Sequence, residues 1–194
     1  MASIAIFHSV LGVRPGITDA ADRLRAAGHE VLVVDQYDGR VFDDYGEAGA
    51  HVERVGFPAL MARAVEGVRD LPDGFLAAGF SNGAGMAEHV ATQRRCGGLL
   101  LFSGALPLSV LGVERWPDGV PAQLHHTVGD PLRQQQWVDS VVADARRAGV
   151  EIEVHDYPGT GHLFTDPSLP AEHDPAATEL LWERVLGFCA RVSD

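Results

Sequence analysis

The sequence predicts an α/β fold: an open, mostly parallel sheet of about six strands flanked by helices, built as one domain over residues 1–194. Three observations carry this. Short runs rich in Val, Ile, Leu and Phe alternate with longer amphipathic segments along the whole chain. Several of the short runs are apolar almost without interruption, as in "LLLF" at 99–102, the composition of strands covered on both faces. Long irregular stretches at 36–48, 104–121 and 158–174 each follow a strand candidate, at the edge where open α/β sheets place ligand sites.

Taken in order, the first strand is expected at 3–8. A helix over 18–27 follows, with Ala21, Leu24 and Ala27 on one stripe, Arg23 and Arg25 off it, and Gly28 as its stop. A strand at 30–35 and a helix over about 50–70 come next. Then follow a strand at 74–80, a helix at 82–95, and strands at 97–103 and 123–128. The dipeptide Asp130-Pro131 reads as a capping acid and a first-turn proline, opening a helix over 131–148. A strand at 151–157 and a helix at 175–191 complete the pattern.

The formal charge of −12 argues against nucleic acid or an anionic membrane surface as partner, because both reward clusters of Lys and Arg. A small molecule is the expected ligand, and monomer and homodimer are both compatible with the composition. The N-terminal "MASIAIFHSV" lacks the basic flank and long apolar stretch of a signal peptide, and no apolar run approaches the roughly 20 residues of a membrane span. The expectation is a soluble cytoplasmic protein. Cys96 and Cys189 read as ordinary thiols. Among nine histidines none has H-x-x-x-H spacing near a carboxylate, and His125 and His126, adjacent on a strand, point to opposite faces. No metal and no cofactor are expected.

The chemistry concentrates around "GFSNGAG" at 79–85, which contains G-x-S-x-G with Ser81 at its centre. A serine hydroxyl is a poor nucleophile near neutral pH and needs an imidazole to take its proton. His162, in "YPGTGHLF" after the last strand, is the candidate base, and Asp130, in "HHTVGDP" after the fifth, the candidate to orient it. Three independent positions thus agree in order and in strand-end placement. The backbone N–H groups of Asn82 and Val10 are the candidate oxyanion donors. His8, Ser9 and Arg40 are candidates for contact with substrate. Leu106, Leu108, Leu111 and Trp116 are candidates for an apolar wall, equally readable as cover for the sheet edge.

With these residues in place, "FHSVLGVRPGITDAADRLRAAGHEVLVVDQYDG" and "YPGTGHLF" resemble the dienelactone hydrolase family of α/β-hydrolases, from about residue 4 to the last helix. The resemblance implies a single-domain α/β-hydrolase sheet without the two N-terminal strands of larger relatives and without a cap domain. Dienelactone-cleaving members use a cysteine nucleophile, a glutamate in the loop after the first strand, and an arginine four residues after the histidine that helps hold a substrate carboxylate. This chain has Ser81, Ser9 and Asp166 at those places. The resemblance therefore implies a serine hydrolase opening a small ester or lactone through an acyl-serine. Acyl transfer on the same residues, or non-catalytic binding of a small molecule, are the alternatives.

Overall fold

The computed structural model describes residues 1–192. Its strands are β1 (Ser3–Phe7), β2 (Glu30–Val34), β3 (Phe75–Phe80), β4 (Cys96–Phe102), β5 (Ala122–Thr127) and β6 (Ile152–Tyr157). They form one parallel sheet in the order β2-β1-β3-β4-β5-β6. The helices are α1 (Pro15–Ala26), α2 (Tyr45–Val55), α3 (Phe57–Gly67), α4 (Asn82–Gln93), α5 (Leu108–Leu111), α6 (Gln135–Arg147) and α7 (Pro175–Val192). Among the described residues none is long and apolar enough to cross a membrane.

Side-chain alternation along the strands divides the core into two layers. Ile4, Ile6, Leu76 and Phe80 pack with Leu24 of α1 and Leu181 and Trp182 of α7. Ala5, Phe7, Ala77 and Leu101 turn to the opposite face, against Val52, Leu60, Met86 and Val141 of α2, α3, α4 and α6. Each fully buried Leu, Ile or Phe contributes about 1.5–3 kcal/mol of transfer free energy. This two-sided burial is why the central strands read as unbroken apolar runs.

The strand order reverses at β1, whose two neighbours are β2 and β3. A crevice at such a switch point lies at the carboxyl ends of the strands. Here those ends lead into Val10 after β1 and Ser81 after β3.

Three expectations are corrected. The single helix over 50–70 is two helices: Gly56 sits at φ 84°, a conformation that ends α2, and Pro58 opens α3. Asp44 caps α2 by accepting from the Glu47 N–H at 2.9 Å. Asp130-Pro131 does not open a helix, since α6 begins at Gln135 with Gln134 as its cap residue. The stretch 104–121 contains the short helix α5.

Candidate active site

Ser81 stands between β3 and α4 with φ 53° and ψ −114°, a left-handed conformation uncommon for a side chain larger than glycine. Such a conformation costs on the order of 1–3 kcal/mol and persists because its surroundings hold it. The Ser81 N–H donates to the Phe102 carbonyl at 2.7 Å, and its own carbonyl accepts from Ala84 at 2.9 Å. The flanking glycines are required by contact. A Cβ on Gly79 would lie 2.0 Å from the Gly83 carbonyl oxygen, and one on Gly83 would lie 2.2 Å from that of Phe7. The bend is therefore tight enough to lift Ser81 off the end of the sheet.

His162 Nε2 lies 2.7 Å from Ser81 Oγ, and His162 Nδ1 lies 2.7 Å from Asp130 Oδ2. An ionised carboxylate only accepts, so Nδ1 carries the proton and donates to Asp130. That leaves Nε2 as a lone pair facing the serine hydroxyl. The other Asp130 oxygen accepts from the Leu132 N–H at 2.8 Å. This local turn is what the Asp-Pro sequence supports in place of a helix cap. Burial pushes the Asp130 carboxyl up, but the hydrogen bond and charge of His162, with the Leu132 N–H, outweigh it and hold it below its usual value.

The segment carrying His162 is fastened by side chains that sequence reasoning missed. Ser103 Oγ donates to the His162 carbonyl at 2.5 Å, and Thr127 Oγ1 to the Gly161 carbonyl at 2.9 Å. Glu172 accepts from the Leu163 N–H at 2.6 Å and from the Tyr45 hydroxyl at 2.9 Å. The Tyr45 ring approaches the imidazole edge-on, with centroids 6.2 Å apart. Ser103 and Thr127 lie 59 and 34 positions from the carbonyls they hold, and a polar residue at a strand end carries no periodic signal.

The turn after β1 is also prefolded. Gly12 N–H donates to the Ser9 carbonyl at 3.1 Å, and Leu11 N–H to Ser9 Oγ at 3.2 Å. The N–H groups of Val10 and Asn82 donate to no other group among the described residues, and both residues line the cavity that holds Ser81. His8 and Ser9 serve this turn and do not line the cavity, which corrects their reading as substrate contacts. His8 Nδ1–H donates to the Ser9 carbonyl at 2.7 Å, and its Nε2 accepts from Gln36 N–H at 3.0 Å. Burial keeps its pKa below the ordinary imidazole value.

The cavity has a volume of about 610 Å³ and is walled mainly by apolar side chains, among them Val10, Met61, Leu106, Leu132, Trp137 and Val138. Its rim includes the exposed side chains of Phe57, Val110 and Leu132. Of the four residues considered for an apolar wall, Leu106 lines it. Trp116 does not: it is buried in the core, its indole N–H donating to the Val120 carbonyl at 2.7 Å. Leu108 is core as well, and Leu111 packs on that core. Arg40 is exposed and is not a cavity residue, so its reading as a substrate contact is also corrected.

Asp166 is likewise turned away. Its Oδ1 accepts from the Gly16 N–H in the first turn of α1 at 3.1 Å and from Ser168 Oγ at 2.6 Å, and its Oδ2 lies 3.6 Å from Arg14 Nε. Asp166 does not line the cavity, so it is not placed to face a substrate carboxylate there. His125 and His126 do face opposite sides. His125 bonds to Tyr157 and Gln123 beneath the sheet, whereas His126 lines the cavity. Behind the wall, Glu88 of α4 is buried and accepts from the Leu106 N–H at 2.7 Å; desolvation raises its carboxyl well above the usual value.

The fold has counterparts among solved structures. A dienelactone hydrolase-like promiscuous phosphotriesterase, P91, from metagenomic libraries superposes with a TM-score of 0.83 at 21% identity, over 99% of this chain and 87% of that one. A phospholipase/carboxylesterase from Dyadobacter fermentans gives 0.69 at 17% identity, over 95% and 90%. A thermophilic esterase from Thermogutta terrifontis, Est2, solved with propionate bound, gives 0.71 at 16% identity, over 98% and 83%. At these identities the likeness is one of fold. A search of curated proteins found no match to the sequence. The sequence model of the dienelactone hydrolase family, however, matches residues 1–193, and the chain belongs to that family.

Proposed function

We propose that this protein is a serine hydrolase that opens a small ester or lactone through an acyl-serine intermediate. The observation that carries this reading is the unbroken chain of two 2.7 Å hydrogen bonds from Ser81 through His162 to Asp130, at the wall of an apolar cavity.

Ser81 Oγ attacks the carbonyl carbon while His162 Nε2 takes the hydroxyl proton. Asp130 keeps the receiving nitrogen unprotonated beforehand and stabilises the imidazolium afterwards. The developing oxyanion is met by the N–H groups of Val10 and Asn82, each worth about 3 kcal/mol in the transition state. On collapse the C–O bond breaks and His162 protonates the leaving oxygen. In a lactone that oxygen remains tethered to the acyl chain. Water, deprotonated by His162, then attacks the acyl-serine, and the acid leaves as Ser81 regains its proton.

The test is labelling with a fluorophosphonate probe, alongside hydrolysis of p-nitrophenyl acetate and of a simple lactone. The wild type should be labelled and should turn over at least one substrate, and Ser81→Ala should do neither. A wild-type protein that is folded, unlabelled and inert toward all three would refute the reading.

A further inference from the structure

His126 is a buried polar side chain at the cavity whose two ring nitrogens are both unpaired among the described residues. It is 2% exposed and lines the wall. Buried polar groups are nearly always paired, so an imidazole with two idle nitrogens needs an explanation. Its neighbour Arg133 lines the same cavity. Arg133 Nη1 donates to Asp156 Oδ1 at 2.6 Å, but its buried Nε–H has no acceptor among the described residues. Apart from the candidate reacting residues, the cavity is otherwise mostly hydrocarbon.

Resting on the hydrolase reading, we propose that His126 and Arg133 form a recognition subsite for a neutral oxygen substituent, a hydroxyl above all, carried by the ester or lactone beyond its scissile carbonyl. A neutral imidazole offers one N–H donor and one lone pair, and the Arg133 Nε–H offers a further donor. A hydroxyl both donates and accepts, so it satisfies the two kinds of site together, which neither a hydrocarbon nor a carbonyl can do.

The charges around His126 favour a neutral group. Arg133, Asp156, Asp130 and His162 all act on it, and burial with the Arg133 charge brings its pKa down to about 4, so the ring is uncharged near neutral pH. The guanidinium already faces Asp156, and a substrate carboxylate would have to share this corner with Asp156 and Asp130. The ring nitrogens lie within the wall. Rotation about the Cβ–Cγ bond, a broad torsion for an imidazole, turns one of them toward the cavity.

The experiment compares p-nitrophenyl butyrate with p-nitrophenyl 2- and 3-hydroxybutyrate in wild type, His126→Leu and Arg133→Met. The kcat/KM of at least one hydroxylated ester should exceed that of the plain ester by about tenfold or more in the wild type, because a site built to bond a hydroxyl discriminates strongly against its absence. In both variants the ratio should collapse toward one. A merely structural histidine would lower both substrates together and leave the ratio intact. His126→Leu removes an unpaired buried group, so its melting temperature should hold or rise. Should that variant fail to fold, Arg133→Met carries the test.

A second arm needs no turnover. Binding of methyl 3-hydroxybutyrate and methyl butyrate to Ser81→Ala is measured by NMR titration, with and without His126→Leu. Tighter binding of the hydroxylated ester, lost in the double variant, supports the subsite even if fluorophosphonate fails to label the wild type and the hydrolase reading falls. A labelled wild type with equal preference for hydroxylated and plain esters in both arms overturns the subsite alone. A folded protein that is unlabelled, inert toward the esters and the lactone, and without discrimination in binding overturns both.

Discussion

Ser103, the first residue after β4, donates its hydroxyl to the backbone carbonyl of His162 at 2.5 Å, although 59 positions separate them. One strand end thus sets the height of the imidazole over another. Ser103→Ala leaves that buried carbonyl without its donor, at a cost of about 1–3 kcal/mol in stability. The expected consequence for activity is a kcat lower by on the order of tenfold with KM little changed, since misplacing a reacting group penalises the transition state most. Urea unfolding and ester kinetics on the same preparation check both, and an unchanged kcat would show that Thr127 and Glu172 hold the loop without it.

Asp130→Asn should preserve the fold and lower kcat by roughly 10³–10⁴, because an amide facing Nδ1 favours the wrong imidazole tautomer. Its pH signature is separate. The folded Asp130 carboxyl titrates below its unfolded value, so the stability it adds is present above about pH 4 and is lost as pH falls through the folded pKa. The stability difference between wild type and Asp130→Asn, from urea melts between pH 3 and 7, should therefore narrow on the acid side. A difference that widens there would contradict the assigned bonds.

Glu88 has the opposite sign. Its folded carboxyl titrates well above an unfolded value of about 4.3, so the native state holds a proton that the unfolded chain releases. Stability is then fully present below that unfolded value and declines as pH rises through the folded one. Glu88→Gln keeps an oxygen for the Leu106 N–H and carries no titrating proton. It should flatten the decline that begins above the unfolded value and raise the melting temperature on the alkaline side of it. Parallel pH–stability profiles for the two proteins would remove Glu88 as the source.

Two glycines of "GFSNGAG" should respond very differently to alanine. In Gly79→Ala the new Cβ meets the Gly83 carbonyl at 2.0 Å, backbone against backbone, and loss of more than about 3 kcal/mol or of soluble protein is expected. In Gly85→Ala the nearest atom is the flexible end of Leu106 at 3.0 Å. The fold should survive within about 1 kcal/mol, with Leu106 displaced into the cavity and KM rising for bulkier acyl groups. Equal losses from both substitutions would show that the α4 start tolerates no added methyl anywhere.

How much of this was legible in the sequence follows from which signals are local. Strand composition, helical stripes and the order of Ser81, Asp130 and His162 are properties of neighbouring residues, and the observed strands lie within a residue of the expected ones. The break at Gly56 and Pro58 was written in the residues too, but apolar positions on either side hide it by running on in helical period. Asp130-Pro131 misled because a carboxylate has two oxygens, and here both are taken, by Leu132 and His162, with no helix beginning there. The fastening of His162 by Ser103 and Thr127, and the burial of Trp116 away from the cavity, depend on contacts between segments far apart in sequence. No window along the chain contains them.

Asp166, bound to the start of α1 and set beside Arg14, has a bearing on any attempt to graft the family's best-known activity onto this scaffold. Writing arginine at 166 would not install a carboxylate clamp. It would strip the α1 N-terminus of its acceptor and set two guanidinium groups against each other outside the cavity. The position is homologous in alignment yet belongs here to the framework, so a transplant has to begin from the wall that the cavity actually has, around His126 and Arg133.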